Sequence, residues 1–249
     1  MLLLLTTNPI LIAAAVIPAI VLMVYIYRKD KLEQESRGLL VSLVVRGVVA
    51  TSLAVLTEEL GCLLLDSLLM PNSVIYNLLL YFVVVACSEE GFKYLLLYRR
   101  TWRSPEFNCQ FDGVVYAVFV SLGFALWENI GYVAAYGFST AIVRALTAVP
   151  GHACFGVFMG AWYGMAKRWD HAGDGAASQR CRQKALLIPV LLHGAYDFFA
   201  SFPLVHMAWI FFAFVLAMFT LALSRVRKLS DEDDYIDGTG SDDGGLMLF

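Results

Sequence analysis

Glu89, Glu90 and Lys93 stand in the stretch CSEEGFK, between the apolar runs NLLLYFVVVA and YLLLY. Glu128 and Asn129 end LGFALWEN, His152 heads HACFGVFMG, and His193 and Asp197 lie in VLLHGAYDFF. Carboxylate, imidazole and ammonium groups do general acid–base chemistry, and glutamate and histidine also bind metal ions. All of these stretches are apolar enough to belong in lipid. There each ionised group costs about 2.5–3.5 kcal/mol at a helix centre. Such groups must therefore face one another or water, and by default they mark a functional site.

Spacing adds geometry. Glu89 and Lys93 are four apart, so they share a helix face and can pair. His193 and Asp197 have the same spacing, which lets the carboxylate hold the imidazole in one tautomer. His152, Gly156, Gly160 and Gly164 form one small-residue ridge, along which a second helix can come close to the imidazole. For the three glycines, packing alone is the expected role. Arg46 and Arg144 are expected to neutralise carboxylates, Ser88 to pack, and Glu58 and Glu59 to be solvated at an outer helix end.

These groups need elements to position them. Hydrophobic residues make up 59% of the 249 and charged residues 16%, with a mean hydropathy of +0.69. A soluble chain carries charge on about a quarter of its residues. The expected fold is all-α, a polytopic bundle of about seven transmembrane helices. The spans fall near 9–27, 38–57, 74–98, 113–136, 139–166, 184–202 and 204–224. Each approaches the roughly 20 residues needed to cross the bilayer, where only a helix satisfies its own backbone. The first span is read as a retained helix, since no basic residue precedes it. LGCLLLDSLLM, too short to cross, is expected to lie at the interface or re-enter. Residues 1–228 form the transmembrane domain, with the motif-bearing core at 74–200, and 229–249 read as an acidic, disordered cytoplasmic tail. The five cysteines are scattered, with no CxxC and no disulfide framework.

All but three of the 18 Lys and Arg fall in connections on one side of the seven-span arrangement. The exceptions are Arg46, Lys93 and Arg144, inside spans. The positive-inside rule then puts the N-terminus outside and the C-terminus in the cytoplasm of a multi-pass plasma-membrane protein. At about 1.5 Å per residue, Glu89, Glu90, His152 and His193 come near mid-membrane, with Glu128 and Asp197 further toward the outside.

The motifs together carry a resemblance. Glu89, Glu90 and Lys93 form EExxK; Phe124, Glu128 and Asn129 form FxxxEN; His152 and Gly156 form HxxxG; His193 and Asp197 form HxxxD. This ordered set resembles the PrsW family of intramembrane glutamic-type proteases, within the wider CAAX prenyl endopeptidase and Abi group. The resemblance implies hydrolysis of a peptide bond in a membrane protein. It further implies site-1-type cleavage of a single-pass anti-sigma factor within regulated proteolysis. By that resemblance Glu89, helped by His152, activates water; Glu90 supports it or shuttles the proton. His193, with Asn129, donates to the oxyanion, and Asp197 orients His193. The CAAX pattern has His where this chain has Glu128, whose role stays open between supporting acid, partner of Arg144 and metal ligand.

No serine or cysteine has a convincing base beside it, so a covalent nucleophile is not expected. No cofactor is expected either. The alternative is zinc-assisted hydrolysis, with Glu90, Glu128, His152 and His193 as candidate ligands. Two further classes use the same groups: a proton-coupled transporter, for which no internal repeat speaks, and a non-catalytic membrane scaffold. The partners expected are a membrane-protein substrate and the bilayer, with no nucleic acid.

Overall fold

The computed structural model describes residues 9–71, 73–202 and 205–237. Eight helices order the described chain: α1 Pro9–Lys29, α2 Arg37–Leu68, α3 Val74–Thr101, α4 Asp112–Tyr136, α5 Phe138–Leu146, α6 Ala148–His171, α7 Gly175–Ala200 and α8 Val205–Asp231. Six segments are long and apolar enough to cross a membrane: α1, α2, α3, α4, α5 with α6 taken together, and α8. The expected segment at 184–202 falls in α7, which is 26 residues long.

Local signals start and stop these helices. Ser36 caps α2 by accepting from Leu39 N, and Asp174 caps α7 by accepting from Ala177 N at 2.8 Å. Each satisfies an amide that a helix start leaves without a partner. Gly137, at φ +82°, separates α4 from α5; a residue with a Cβ rarely takes that conformation.

α4 is the central helix. Every side chain from Asp112 to Ala125 is buried, and it packs against α6, α2 and α1. The α4–α6 contact is glycine-mediated. A Cβ on Gly156 would stand 2.9 Å from the Val118 Cα, and one on Gly160 would overlap Val114 and Gly113 backbone atoms. The small-residue ridge thus faces α4 and lets the two backbones touch.

Three segments differ from expectation. LGCLLLDSLLM does not re-enter as a separate piece: α2 runs on to Leu68, so most of the stretch is helix. No glycine, proline or run of turn residues breaks the pattern within LLLDSLL. The fifth span is broken at Thr147, so His152 lies in the opening turns of a new helix rather than midway along a continuous one. Of the expected tail, 229–231 are still helical. Ile236 then donates to the Asn108 carbonyl at 2.7 Å, and Asp233 accepts from Phe111 N at 2.9 Å. Residues 238–249 lie outside the described residues.

Candidate active site

α3 carries the first part of the site. Its stretch Leu79–Val85 is π-helical, and α-helix resumes at Ala86. A π turn resets the rotation of the helix beyond it, and such turns recur at functional sites. Here the next turn points Glu89, Glu90 and Lys93 inward, at 5%, 0% and 0% exposure. The π segment also seats α3 against α7, since Gly194 lies directly against Phe82.

Lys93 is the hub. Its Nζ donates to Glu90 Oε1 at 2.7 Å and Glu89 Oε2 at 3.1 Å, and lies 3.0 Å from His152 Nδ1. An ammonium has three hydrogens and no lone pair, so all three are engaged and His152 Nδ1 is an acceptor. The proton of the neutral imidazole then sits on Nε2, which faces Glu128 Oε2 at 3.0 Å. The ring of Phe124 lies under the ammonium, 3.9 Å from Nζ to centroid, and adds a cation–π contact in a dry setting.

α7 supplies the opposite wall. His193 Nδ1 lies 2.9 Å from Glu90 Oε1 and 3.9 Å from Glu89 Oε2; its Nε2 lies 3.3 Å from Asp197 Oδ2. A doubly protonated ring satisfies both carboxylate contacts. Phe155 stacks on it at 4.7 Å.

Glu128 closes the group toward α5. It accepts from Arg144 at 2.7 Å as well as meeting His152. Of the roles left open for it, partner of Arg144 is the one the geometry displays. Arg144 also donates to Asn129 Oδ1 at 3.0 Å, and its guanidinium lies over Tyr132. The Asn129 amide nitrogen is aimed at the Ala15 carbonyl of α1, at 2.8 Å. The role that the geometry displays for the buried Asn129 amide is to tie helices together: its oxygen accepts from Arg144 of α5 and one of its two amide hydrogens goes to Ala15 of α1. Arg46 differs from expectation. It donates to the Ser42 carbonyl near Arg100 rather than to a site carboxylate.

Glu58, expected to be solvated, turns inward instead. Its Oε1 is buried, in the field of Glu128, His193, Lys93 and Asp197. The spacing carries the signal. Gly47, Thr51, Ala54 and Glu58 continue one face of α2 at steps of four, three and four, and the first three are buried. Glu59, on the next face, is exposed.

Buried carboxylates, imidazoles and a lysine from four helices thus converge in a span-rich chain, in the motif order of an intramembrane hydrolase. A family model described as "PrsW family intramembrane metalloprotease" matches residues 34–223. The chain belongs to the PrsW family. Named relatives agree. Protease PrsW of Halalkalibacterium halodurans is 31% identical over 90% of this chain and 98% of its own. Protease PrsW of Oceanobacillus iheyensis is 32% identical, with 89% and 96% covered, and that of Bacillus subtilis 29%, with 88% and 94% covered. No solved structure matches. This PrsW-family chain is an intramembrane protease.

The family description names a metal, and the site permits a test of fit. Glu89, Glu90, His152 and His193 each present one donor atom, all within 4.8 Å of one another. Glu90 Oε2 is buried and without a hydrogen-bond partner. Two carboxylates and two imidazoles are an acceptable zinc set, so the residues fit by type and spacing. Glu128 is outside this set, and Glu89 takes the place expected for it. The Lys93 ammonium bonds three of the same four groups, so a metal ion and Lys93 compete for one position.

Proposed function

We propose that this protease cleaves a single-pass membrane protein of the anti-sigma-factor class toward the outer side of the plasma membrane. The N-terminus is outside and the C-terminus cytoplasmic. The observation that carries the hydrolytic reading is the convergence of Glu89, Glu90, His152 and His193 within 4.8 Å. Of the two glutamates Glu89 retains slight exposure, whereas Glu90 is sealed and held by both Lys93 and His193. Glu89 is the base that meets water. The Glu128 and Asp197 side chains, 20% and 25% exposed, mark the side from which a peptide enters.

Glu89 takes a proton from water as the oxygen attacks the scissile carbonyl carbon. His193 donates from Nε2 to the developing oxyanion, with Asp197 orienting the ring and shifting to admit the carbonyl. Glu90 holds Nδ1 of the same ring. Glu89 then passes its proton to the nitrogen as the C–N bond breaks, giving an amine and a carboxylic acid, whose remaining proton from water moves to the amine to leave carboxylate and ammonium. His152 fixes the third hydrogen of Lys93, and so the direction of the ammonium that holds both glutamates.

The second reading rests on the same four donors: when bound, zinc would be held by Glu89, Glu90, His152 and His193, and would supply Lewis acidity and a more acidic attacking water. The test is cleavage of a single-pass substrate in proteoliposomes by wild type, Glu89→Gln and His193→Ala. Loss of cleavage in both, with unchanged expression and thermal unfolding, supports the assignment. Full activity of Glu89→Gln overturns it. Ion flux without cleavage would favour a transporter.

A further inference from the structure

A second group of acids lies at the other end of α4. Asp112 is its first residue, and Glu128 lies 16 residues on, about 24 Å along the axis. Asp30 follows the last residue of α1, and Glu35 lies in the link to α2. Asp112, Asp30 and Glu35 are 1%, 3% and 6% exposed, and one carboxylate oxygen of each lies within 4.8 Å of the others.

Acidic clusters are common on surfaces, where water solvates them. This one is sealed, and three of its six oxygens have no donor, while Glu35 faces Tyr116 and Asp112. Both oxygens of Asp30 are buried with no hydrogen-bond partner, as is Asp112 Oδ1. Asp112 Oδ2 is accounted for: it accepts from the backbone of Asn108 at 3.0 Å and Cys109 at 2.7 Å. That fixes the carboxylate and leaves the other oxygen for the cluster. Asp233, beyond α8, repeats the pattern, with Oδ1 on Phe111 N and a buried, unpartnered Oδ2. A buried carboxylate oxygen without a donor loses its hydration for nothing in return.

We propose that Asp30, Glu35 and Asp112 form a binding site for a hard divalent cation, with Ca²⁺ the best fit. The donors are oxygens from carboxylates, the set that calcium and magnesium take rather than zinc. Cys109 is the soft group nearby, but it meets Asp112 through its backbone N–H, and its thiol is not part of the group of converging donors. Mg²⁺ gives up its waters reluctantly and is seldom held by an all-protein cage, whereas Ca²⁺ takes such carboxylate sets; the sealed group of Asp30, Glu35 and Asp112 suits Ca²⁺. The ion joins the end of α1, the α1–α2 link and the start of α4. It would brace the base of the helix whose far end carries Glu128. This site shares no residue with the catalytic group, so either assignment can fail alone.

The test uses the full chain in detergent, stripped with chelator and titrated with Ca²⁺, Mg²⁺ or Zn²⁺. Thermal unfolding is read by tryptophan fluorescence. Tb³⁺ serves as a luminescent calcium probe, sensitised by nearby tyrosine. Expected are saturable stabilisation by Ca²⁺, weaker stabilisation by Mg²⁺, and Tb³⁺ luminescence that Ca²⁺ displaces. Asp30→Asn and Glu35→Gln should each weaken Ca²⁺ affinity about tenfold or more by removing ligand charge, while Glu90→Gln retains it. Two variants guard against one that fails to fold. Three outcomes overturn the proposal: no divalent-cation effect on wild type, unchanged affinity in Asp30→Asn and Glu35→Gln, or loss in Glu90→Gln alone.

Discussion

Lys93 Nζ lies 3.0 Å from His152 Nδ1, across the α3–α6 contact. A cation and a base are in hydrogen-bond contact because the ammonium has already spent two hydrogens on Glu89 and Glu90. The third fixes the tautomer of His152 and turns its Nε2–H to Glu128. One lysine thus sets the directions of three side chains from two helices, and through His152 reaches a fourth on α4.

Lys93→Met keeps the length of the side chain and removes the charge. It leaves Glu89 and Glu90 buried without their shared cation, and breaking a buried pair costs about 3–5 kcal/mol. The expected result is a large fall in unfolding temperature together with loss of cleavage. Lys93→Met combined with Glu90→Gln should recover part of the stability and none of the activity. Thermal unfolding of Lys93→Met, Glu90→Gln and the double variant beside wild type makes the comparison. Additive losses would show that the pair is not coupled.

Glu89→Gln removes the base and retains shape. Cleavage is expected to fall at least about 100-fold, the lower range of a general base's contribution, with the fold intact. Chelator divides the two hydrolytic readings. Unchanged wild-type cleavage after exhaustive chelation supports Glu89 acting on water alone. Inactivation reversed by zinc supports the metal reading.

Gly156→Ala tests whether helix contact sets the site. The added Cβ stands 2.9 Å from Val118 Cα and 3.0 Å from Ser121 Oγ, so α6 must retreat from α4. His152 is one turn away on the same face and moves with it. Displacements on this scale at a group that positions the site reduce turnover steeply. Cleavage should fall about tenfold or more, with only a modest shift in unfolding temperature. Unaltered cleavage would mean that the ridge only packs.

Topology is checked with new cysteines on a cysteine-free background, because Cys109 and Cys181 are buried and poor reporters. Met70→Cys lies in the α2–α3 connection, and Ala172→Cys in the α6–α7 connection; both sites are exposed. An impermeant thiol reagent applied to intact cells should label the first and spare the second. The reverse pattern would invert the membrane orientation.

Sequence alone determined the helical, membrane-spanning class and the residues under suspicion. Both stem from a cost that acts along the chain. A run of apolar residues must be helical in lipid, and an ionisable group within it must find company. The i,i+4 pairs Glu89–Lys93 and His193–Asp197 were legible for the same reason, since both members ride on one helix. The tertiary structure alone decided which groups meet across helices, because that depends on rotation and approach rather than order. The π-helical stretch Leu79–Val85 sets which way the two glutamates face. The break at Thr147 puts Arg144 over Glu128, and the approach of α1 claims the amide of Asn129. Glu58 turns inward on the buried face of α2. Asp30, Glu35 and Asp112 are far apart in the chain or in polar links, where no lipid cost flags them. They become a cluster because the helix ends close over them and exclude the water that would otherwise solvate each one.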